Sequence, residues 1–547
     1  MNMGIKRFFK SEQKTIGKAT LIIAIFIVFS RILGLIRDRL LASTFGATIE
    51  LDIYFASFKI PDLIYSIVLA GGVLVSLLPL FSDYYKKNEK EAWKLINSII
   101  NIFLVALIVI AFFLFIFTPE LVSLILPGLN PDYVGETVNL TRLLFLAVFF
   151  LGLSSIFSTV VNYFNRFLIY SIAPVLYNLC IILGILFLAP KIGIFGPAIG
   201  VVIGSFLHFL IQFLCSLNYG YKYSLILDVH YEGVKDFFKL LFPRIISAAA
   251  GQINLLVITA ISSTIAVGAI TFFNLADNLR FLPVGFIGIS FATAVFPHLS
   301  KSVTDKNMSE FSINLRKVFQ DVLYLALPIS ILTFVMRDLI VSIILKTGEF
   351  SSLAVEITGA CLGIFALSLV FQCLEPTLLR AYFSIKDTKT PAIISLIFLA
   401  TNFILSFLFV ELLKQNEFLN SFILNMFHLK SPEHVLLLGL VFAYNISLVI
   451  DFILLSWFLK KKIGGLDLKK SIIKISISSI PMLMVALFVI GLFNKMALDN
   501  FWINLLEFSL VALFSFATYF IFTYILKTEE SQRIKQFLLN TLDKILK

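Results

Sequence analysis

Apolar runs of about twenty residues recur along almost the whole chain, separated by short polar segments. An α-helix needs a run of this length to cross the hydrocarbon core of a bilayer. The repeated alternation that marks membrane β-strands does not recur. The pattern predicts an all-α integral membrane protein with fourteen transmembrane helices. We place these helices near residues 20–43, 54–82, 94–117, 139–163, 171–189, 194–218, 238–264, 268–297, 317–345, 354–381, 390–412, 435–459, 471–493 and 502–526.

Composition excludes the soluble globular class, because 59% of the 547 residues are hydrophobic and only 14% are charged. The net charge of +11 suggests a nucleic-acid partner at first, but most Lys and Arg lie in alternate loops between apolar runs. That distribution predicts cytoplasmic amino and carboxyl termini and no nucleic-acid partner. The basic start and first apolar run are expected to form a retained helix rather than a signal peptide.

Two short patterns recur at nearly the same spacing. Pro79 in LLPLFSDYY matches Pro297 in VFPHLSKSV, and Tyr163 in NYFNRF matches Tyr382 in AYFSIK. Six helices separate equivalent points, so the two copies should share one orientation and form two six-helix lobes in a pseudo-twofold arrangement. The predicted divisions are residues 1–219 for the first lobe, 220–465 for the second, and 466–547 for helices 13 and 14 with an amphipathic cytoplasmic tail.

Helix 1 is unusually charged for a transmembrane helix, since the stretch FSRILGLIRDRLLA contains Arg31, Arg37, Asp38 and Arg39. A central Arg or Asp costs about 2.5 to 3.5 kcal/mol on insertion scales, so these groups need water or partners. Arginine suits a phosphorylated ligand because its planar fork binds phosphate oxygens in pairs. The excess of cations favours an anionic substrate in a hydrated cavity between the lobes.

Charged residues in helices 2 and 8 are expected to line the same cavity, because intramembrane ionisable groups commonly mark function. The alternative is a set of buried structural ion pairs, such as Arg280 with Asp277. Glu375 and Asp451 could be proton or sodium sites, or could satisfy backbone opened at a proline. The candidate substrate-binding residues are Arg31, Arg37, Asp38, Asp52, Lys59, Asp62, Asp277, Asn278 and Arg280.

Motifs for enzyme chemistry are missing from the sequence. It contains no GxSxG, HExxH, P-loop or paired-cysteine metal motif. The two-lobe repeat favours a transporter. We expect no catalytic residues, no metal and no cofactor, with transport driven by the membrane potential or by an ion gradient.

Several motifs together carry a family resemblance. They are SRILGLIRD in helix 1 with Asp52 beyond it, FASFKIPDL from Phe55, NRF from Asn165, LADN from Leu275, and KDTKTP from Lys386. With these motifs the chain resembles the MurJ (MviN) family, lipid II flippases of the MOP exporter superfamily. Two departures stand out. Tyr65 occupies the region where the family commonly has an arginine, and Asn278 replaces the family's helix 8 arginine, with Arg280 two places on and about 160° away.

The resemblance implies a central cavity between two lobes, a lateral opening, and a groove beside the last two helices for a polyprenyl tail. It further implies that an undecaprenyl-pyrophosphate-linked peptidoglycan precursor is carried from the inner to the outer leaflet of the bacterial plasma membrane. Membrane lipids and other envelope-synthesis proteins would be partners. Arg31, Arg37 and Asp52 fall on motif positions. The resemblance implies that the two arginines bind the charged headgroup of the substrate.

Other functions are open at this stage. A relative could export another polyprenyl-pyrophosphate-linked glycan or a drug, and a membrane enzyme or a non-transporting scaffold for envelope synthesis is a different class. The helix 1 arginines argue against a cationic drug, and the missing catalytic motifs argue against an enzyme.

Overall fold

The computed structural model describes residues 16–67, 73–427, 429–430, 432–494, 500–533 and 535–536. These residues form helices and connecting loops, without a β-strand among them. The apolar face predicted for the carboxyl-terminal tail lies outside these ranges, since it consists of Ile534, Phe537, Leu538, Leu542 and Ile545.

The helices follow one another through short connections. The first eight are α1 (Ile16–Phe45), α2 (Ile49–Ser57), α3 (Lys59–Tyr65), α4 (Val73–Lys87), α5 (Glu89–Ile125), α6 (Pro131–Tyr163), α7 (Phe167–Ile192) and α8 (Phe195–Leu217). The next ten are α9 (Glu232–Ser263), α10 (Ala269–Thr304), α11 (Met308–Val335), α12 (Arg337–Leu345), α13 (Ser352–Ser384), α14 (Lys389–Gln415), α15 (Glu417–Phe427), α16 (Val435–Ile463), α17 (Lys469–Asn494) and α18 (Phe501–Ile525).

Eleven helices in the described part of the chain are long and apolar enough to cross a membrane. The three other predicted spans correspond to the charged α1, to the run from α2 to α4, and to α9. Pro61 accounts for the break between α2 and α3, because it has no N–H to donate to the carbonyl one turn earlier. The prediction of an all-α, multi-pass membrane protein is confirmed. The count of fourteen is compatible with these helices and remains a prediction.

The chain divides into two compact units. One comprises Met1–Thr271 with Thr347–Phe350, and the other comprises Phe272–Lys346 with Ser351–Lys547. The division falls inside α10 because α9 packs against α3, α4 and α5 of the first unit. The lobes predicted from the repeat, with their boundary at residues 219 and 220, stay a prediction.

The loop Thr347–Phe350 belongs to the first unit because it docks on the end of α1. The Glu349 N–H donates to the Ser43 carbonyl at 2.9 Å. Gly348 adopts a positive φ of 55°, and a Cβ there would lie 2.3 Å from the same carbonyl oxygen. Only glycine allows this approach.

Close helix packing in the first unit depends on glycines at the crossing of α7 and α8. A Cβ on Gly196 would lie 2.4 Å from the Ala189 nitrogen, and one on Gly200 would lie 2.6 Å from the Cys180 carbonyl oxygen. Small residues four apart allow helix backbones to approach closely in membranes, where dispersion contacts replace the hydrophobic effect as the main attraction.

Prolines inside two helices leave backbone carbonyls that side chains of neighbouring helices satisfy. Pro119 cannot donate to Phe115, and Arg142 of α6 donates to that carbonyl through Nε at 3.1 Å and Nη2 at 2.7 Å. In the second unit, Pro328 leaves the Tyr324 carbonyl without its helical donor. The hydroxyl of Tyr519 donates to it at 2.7 Å. These bonds join α5 to α6 and α11 to α18.

Candidate functional site

Arg37 is held on α1 by one carboxylate and one amide. Its Nε and Nη2 donate to Oδ1 of the buried Asp38 at 3.0 and 2.8 Å, and its Nη1 donates to Oδ1 of Asn178 at 3.1 Å. Asn178 lies on α7, and its Nδ2 donates to the Pro174 carbonyl at 3.1 Å and to the Ser30 hydroxyl at 3.3 Å. The network orients the guanidinium and balances its charge with Asp38.

Helix α1 contains further arginines besides the one paired with Asp38. The stretch of residues 29–42 contains three arginines and a single carboxylate, Asp38. The Arg31 side chain is exposed, and that of Arg39 is half-buried. Arg31 and Asp38 are seven residues apart and so lie on one face of the helix. This stretch of α1 therefore carries two more arginines than carboxylates.

Asp52 is buried in α2 and caps the amino-terminal end of α10. Its Oδ2 accepts the Gly268 N–H at 2.6 Å, and its Oδ1 accepts both the N–H and the hydroxyl of Thr271 at 2.7 Å. Helix amino termini carry unpaired N–H groups and positive dipole charge, which a carboxylate stabilises. The contacts give Asp52 a structural role, and its predicted contact with substrate stays a prediction.

Lys59 and Asp62 lie on α3, three residues apart and therefore on one face. Lys59 is buried and Asp62 is half-buried. The hydroxyl of Tyr65, at the end of the same helix, lies 3.5 Å from the Ser155 hydroxyl of α6. Lys59 and Asp62 therefore lie on a short helix that Phe58 separates from α2.

Arg280 is enclosed in the second unit. Its Nε donates to Asp277 at 2.5 Å, its Nη1 donates to Gln372, and its Nη2 donates to the Tyr444 hydroxyl at 3.0 Å. The guanidinium also lies 4.6 Å from the centre of the Phe365 ring. These contacts join α10 to α13 and α16. They fit the alternative in which Arg280 and Asp277 form a buried structural ion pair.

The structure pairs four of the predicted residues, two in each unit. Arg37 joins Asp38 in the first, and Arg280 joins Asp277 in the second, while Asn278 is half-buried one residue beyond Asp277. A cavity shared by the two groups remains a prediction, as does substrate binding by each residue.

The sequence reasoning missed the amides and hydroxyls that complete these groups. Asn178 and Gln372 are polar residues inside apolar runs, and only folding brings them to Arg37 and Arg280. Asn178 could have been suspected because it stands four residues after Pro174, whose carbonyl it binds. Glu375 is half-buried and Asp451 is buried. Within the described residues, no three His, Cys, Asp or Glu side chains are placed to hold a metal ion.

Comparison with known proteins gives a consistent result. The family model described as lipid II flippase MurJ matches residues 41–511. A relative from Buchnera aphidicola subsp. Schizaphis graminum, named "Probable lipid II flippase MurJ", is 28% identical over 454 residues, covering 81% of this chain and 83% of the relative.

Two solved structures are similar to this chain in fold. A lipid II flippase MurJ in an inward closed conformation is similar with a TM-score of 0.75 and 27% identity, covering 92% of this chain and 98% of that one. An inward-facing multidrug resistance MATE transporter of the MOP superfamily shares the fold at 13% identity, with a TM-score of 0.65 and coverage of 82% and 98%. The family predicted from the motifs between SRILGLIRD and KDTKTP is confirmed, and the chain belongs to the MurJ family of lipid II flippases.

Proposed function

We propose that this protein is a flippase that carries lipid II, the lipid-linked peptidoglycan precursor, from the inner to the outer leaflet of the bacterial plasma membrane. Membership of the MurJ family supports the substrate class and the transport function. The observation in the chain itself that carries the proposal is the excess of arginine over carboxylate on α1, since lipid II presents a pyrophosphate.

The proposal gives each group on α1 a role. Arg31 and Arg39 add positive charge to the surface that the pyrophosphate approaches. Asp38 and Asn178 hold the Arg37 guanidinium in one orientation, so its planar fork is ordered before the ligand arrives. The pyrophosphate would compete with Asp38 for Arg37, and a bidentate contact with phosphate oxygens would compensate for the exchanged hydrogen bonds.

Transport by alternating access, driven by the membrane potential or an ion gradient, is part of the proposal. So is the orientation with both termini in the cytoplasm, which rests on the distribution of Lys and Arg between loops. The undecaprenyl tail and contacts with other envelope-synthesis proteins are also proposed.

Complementation of cells depleted of their own flippase tests the arginine assignment. We expect Arg31→Ala to insert at normal levels and fail to support growth, and Arg31→Lys to retain part of the activity because it keeps the charge but not the fork. Lys90→Ala, at the solvent-exposed start of α5, is the matched control for loss of one cation. Normal growth with Arg31→Ala and Arg37→Ala would overturn the headgroup role.

The substrate is tested separately by measuring the amount of lipid II exposed at the outer leaflet with and without the protein. A second polyprenyl-linked glycan serves as comparison. Movement of lipid II alone supports the proposal. Movement of the other glycan alone would support an exporter of that glycan, and movement of neither would support a non-transporting scaffold.

A further inference from the structure

The segment between α8 and α9 follows the side of α5 without forming a helix. It runs from Tyr221 to His230, and its last two residues form a turn. Asn97 of α5 is buried beneath its first residues: the Asn97 Nδ2 donates to the Lys222 carbonyl at 2.9 Å, and the Tyr221 hydroxyl donates to the Asn97 Oδ1 at 2.9 Å. Both polar ends of the amide are therefore bound to the segment.

Asn101, one helical turn further along α5, repeats this arrangement. Its Nδ2 donates to the carbonyls of Ser224 and Ile226 at 2.9 and 3.0 Å, and its Oδ1 accepts the Tyr223 hydroxyl at 2.8 Å. At the far end, the Asp228 carboxylate lies 3.5 Å from Lys94. Alternate residues of the segment thus direct their backbone carbonyls to one row of amides on α5.

The intervening side chains form an outward apolar row. The exposed fractions are 54% for Tyr223, 84% for Leu225, 56% for Leu227 and 50% for Val229. The Tyr223 hydroxyl reaches Asn101, but its ring and the three aliphatic side chains that follow are largely exposed, so the row forms the outer face of the segment. Four consecutive outward positions carry large apolar or amphipathic side chains, which is unusual for a loop in water.

The row lies beside a helix that carries an exposed apolar surface of its own. Val105, one turn beyond Asn101, is 49% exposed and begins a series of exposed apolar residues on α5. That helix is long and apolar enough to span the bilayer, so this surface faces lipid. Lys222 and Lys235, on either side of the row, are exposed.

We infer that residues 223–229 are a membrane-docking segment whose partner is the phospholipid of the leaflet at the amino-terminal end of α5. The apolar row lies at the boundary of headgroups and acyl chains, and the flanking lysines contact anionic headgroups. The boundary fits better than the hydrocarbon core, because backbone groups directed away from α5 need water or headgroup partners. Asn97 and Asn101 hold the segment at this depth.

Spin labelling in lipid vesicles of phosphatidylcholine and phosphatidylglycerol tests the inference. A nitroxide is attached at Leu225→Cys or Leu227→Cys in the full chain carrying Cys180→Ala, since the three other native cysteines are buried. Lys222→Cys, on the same segment, is the matched control. We expect collisions with oxygen to exceed those with a water-soluble nickel complex at residues 225 and 227, by several-fold relative to residue 222.

Two results would overturn the inference. Equal access of the nickel complex to residues 225 and 222 would place the row in water, where a soluble protein could bind it. Spin–spin broadening at residue 225 that disappears on dilution with unlabelled protein would assign the row to a second copy of the chain. Transport plays no part in this measurement, so its outcome is independent of the proposed function.

Discussion

The Asp52 carboxylate accepts two hydrogen bonds from Thr271, one from its backbone N–H and one from its hydroxyl, both at 2.7 Å. The two residues lie more than two hundred positions apart in the chain, yet the carboxylate closes the amino-terminal turn of α10. A residue that sequence motifs mark as functional is thus also a structural cap.

Replacement of Asp52 by asparagine should lower the free energy of unfolding by about 1 to 3 kcal/mol. The amide keeps one acceptor oxygen but turns N–H donors toward a site that already holds three donors. Thermal unfolding in detergent measures the change. Thr271→Ser keeps the hydroxyl and is the control, with an expected loss well below that of Asp52→Asn. Equal losses would show that the hydrogen bonds do not set the effect.

The bond between Arg142 and the Phe115 carbonyl should depend on Pro119. Arg142→Met is expected to destabilise the protein by about 1 to 3 kcal/mol, because a carbonyl without a helical donor is left in an apolar environment. In a Pro119→Ala background the helix restores its own donor, so the same substitution should cost less. A double-mutant cycle on thermal unfolding measures the difference. Additive effects would contradict the assignment.

Arg280→Lys separates a packing role from a substrate role. A lysine ammonium cannot reach Asp277, Gln372 and Tyr444 together as the planar guanidinium does. We expect a clear fall in unfolding temperature, equivalent to about 2 kcal/mol or more for a buried charged network. Arg31→Lys, on the exposed face of α1, should leave the unfolding temperature near that of the wild type. Wild-type stability with loss of growth support for Arg280→Lys would instead favour substrate contact.

The loop between α13 and α14 should respond to acid through Asp387. Partial burial acts to raise the pKa of this carboxyl, but hydrogen bonds from Lys462 and Thr390 prevail and hold the pKa below its ordinary value of 3.8. A depressed carboxyl pKa contributes stability that is present above the unfolded-state value and is lost as pH falls through the folded-state value.

The difference in unfolding temperature between wild type and Asp387→Asn measures that contribution. We expect the wild type to be more stable at pH 7 and the difference to shrink at pH 3. Because Lys462 is partly exposed, solvent screening keeps the effect small, and added salt should reduce it further. A difference that is the same at both pH values would contradict the ion pair.

The presence of membrane-spanning helices and the protein family could both be predicted from the sequence, because each depends on short stretches of neighbouring residues. Apolar runs long enough to span a bilayer predicted the membrane fold, and the motifs from SRILGLIRD to KDTKTP predicted the MurJ family; both are confirmed. Pairing could not be predicted in the same way. Arg37 could have met lipid headgroups, water or any of several carboxylates, and helical spacing alone did not select Asp38 and Asn178.

Hydropathy is a sum over neighbouring residues, so it can be calculated from the sequence without knowing how the helices pack. Hydrogen bonding inside a bilayer is a requirement on each polar atom, and it is met by whichever side chain the packing brings within about 3 Å. Only the tertiary structure brings Arg142 to the Phe115 carbonyl, which Pro119 leaves without a helical donor. It likewise encloses Arg280 with Gln372 and Tyr444. It also places the α8–α9 segment on Asn97 and Asn101.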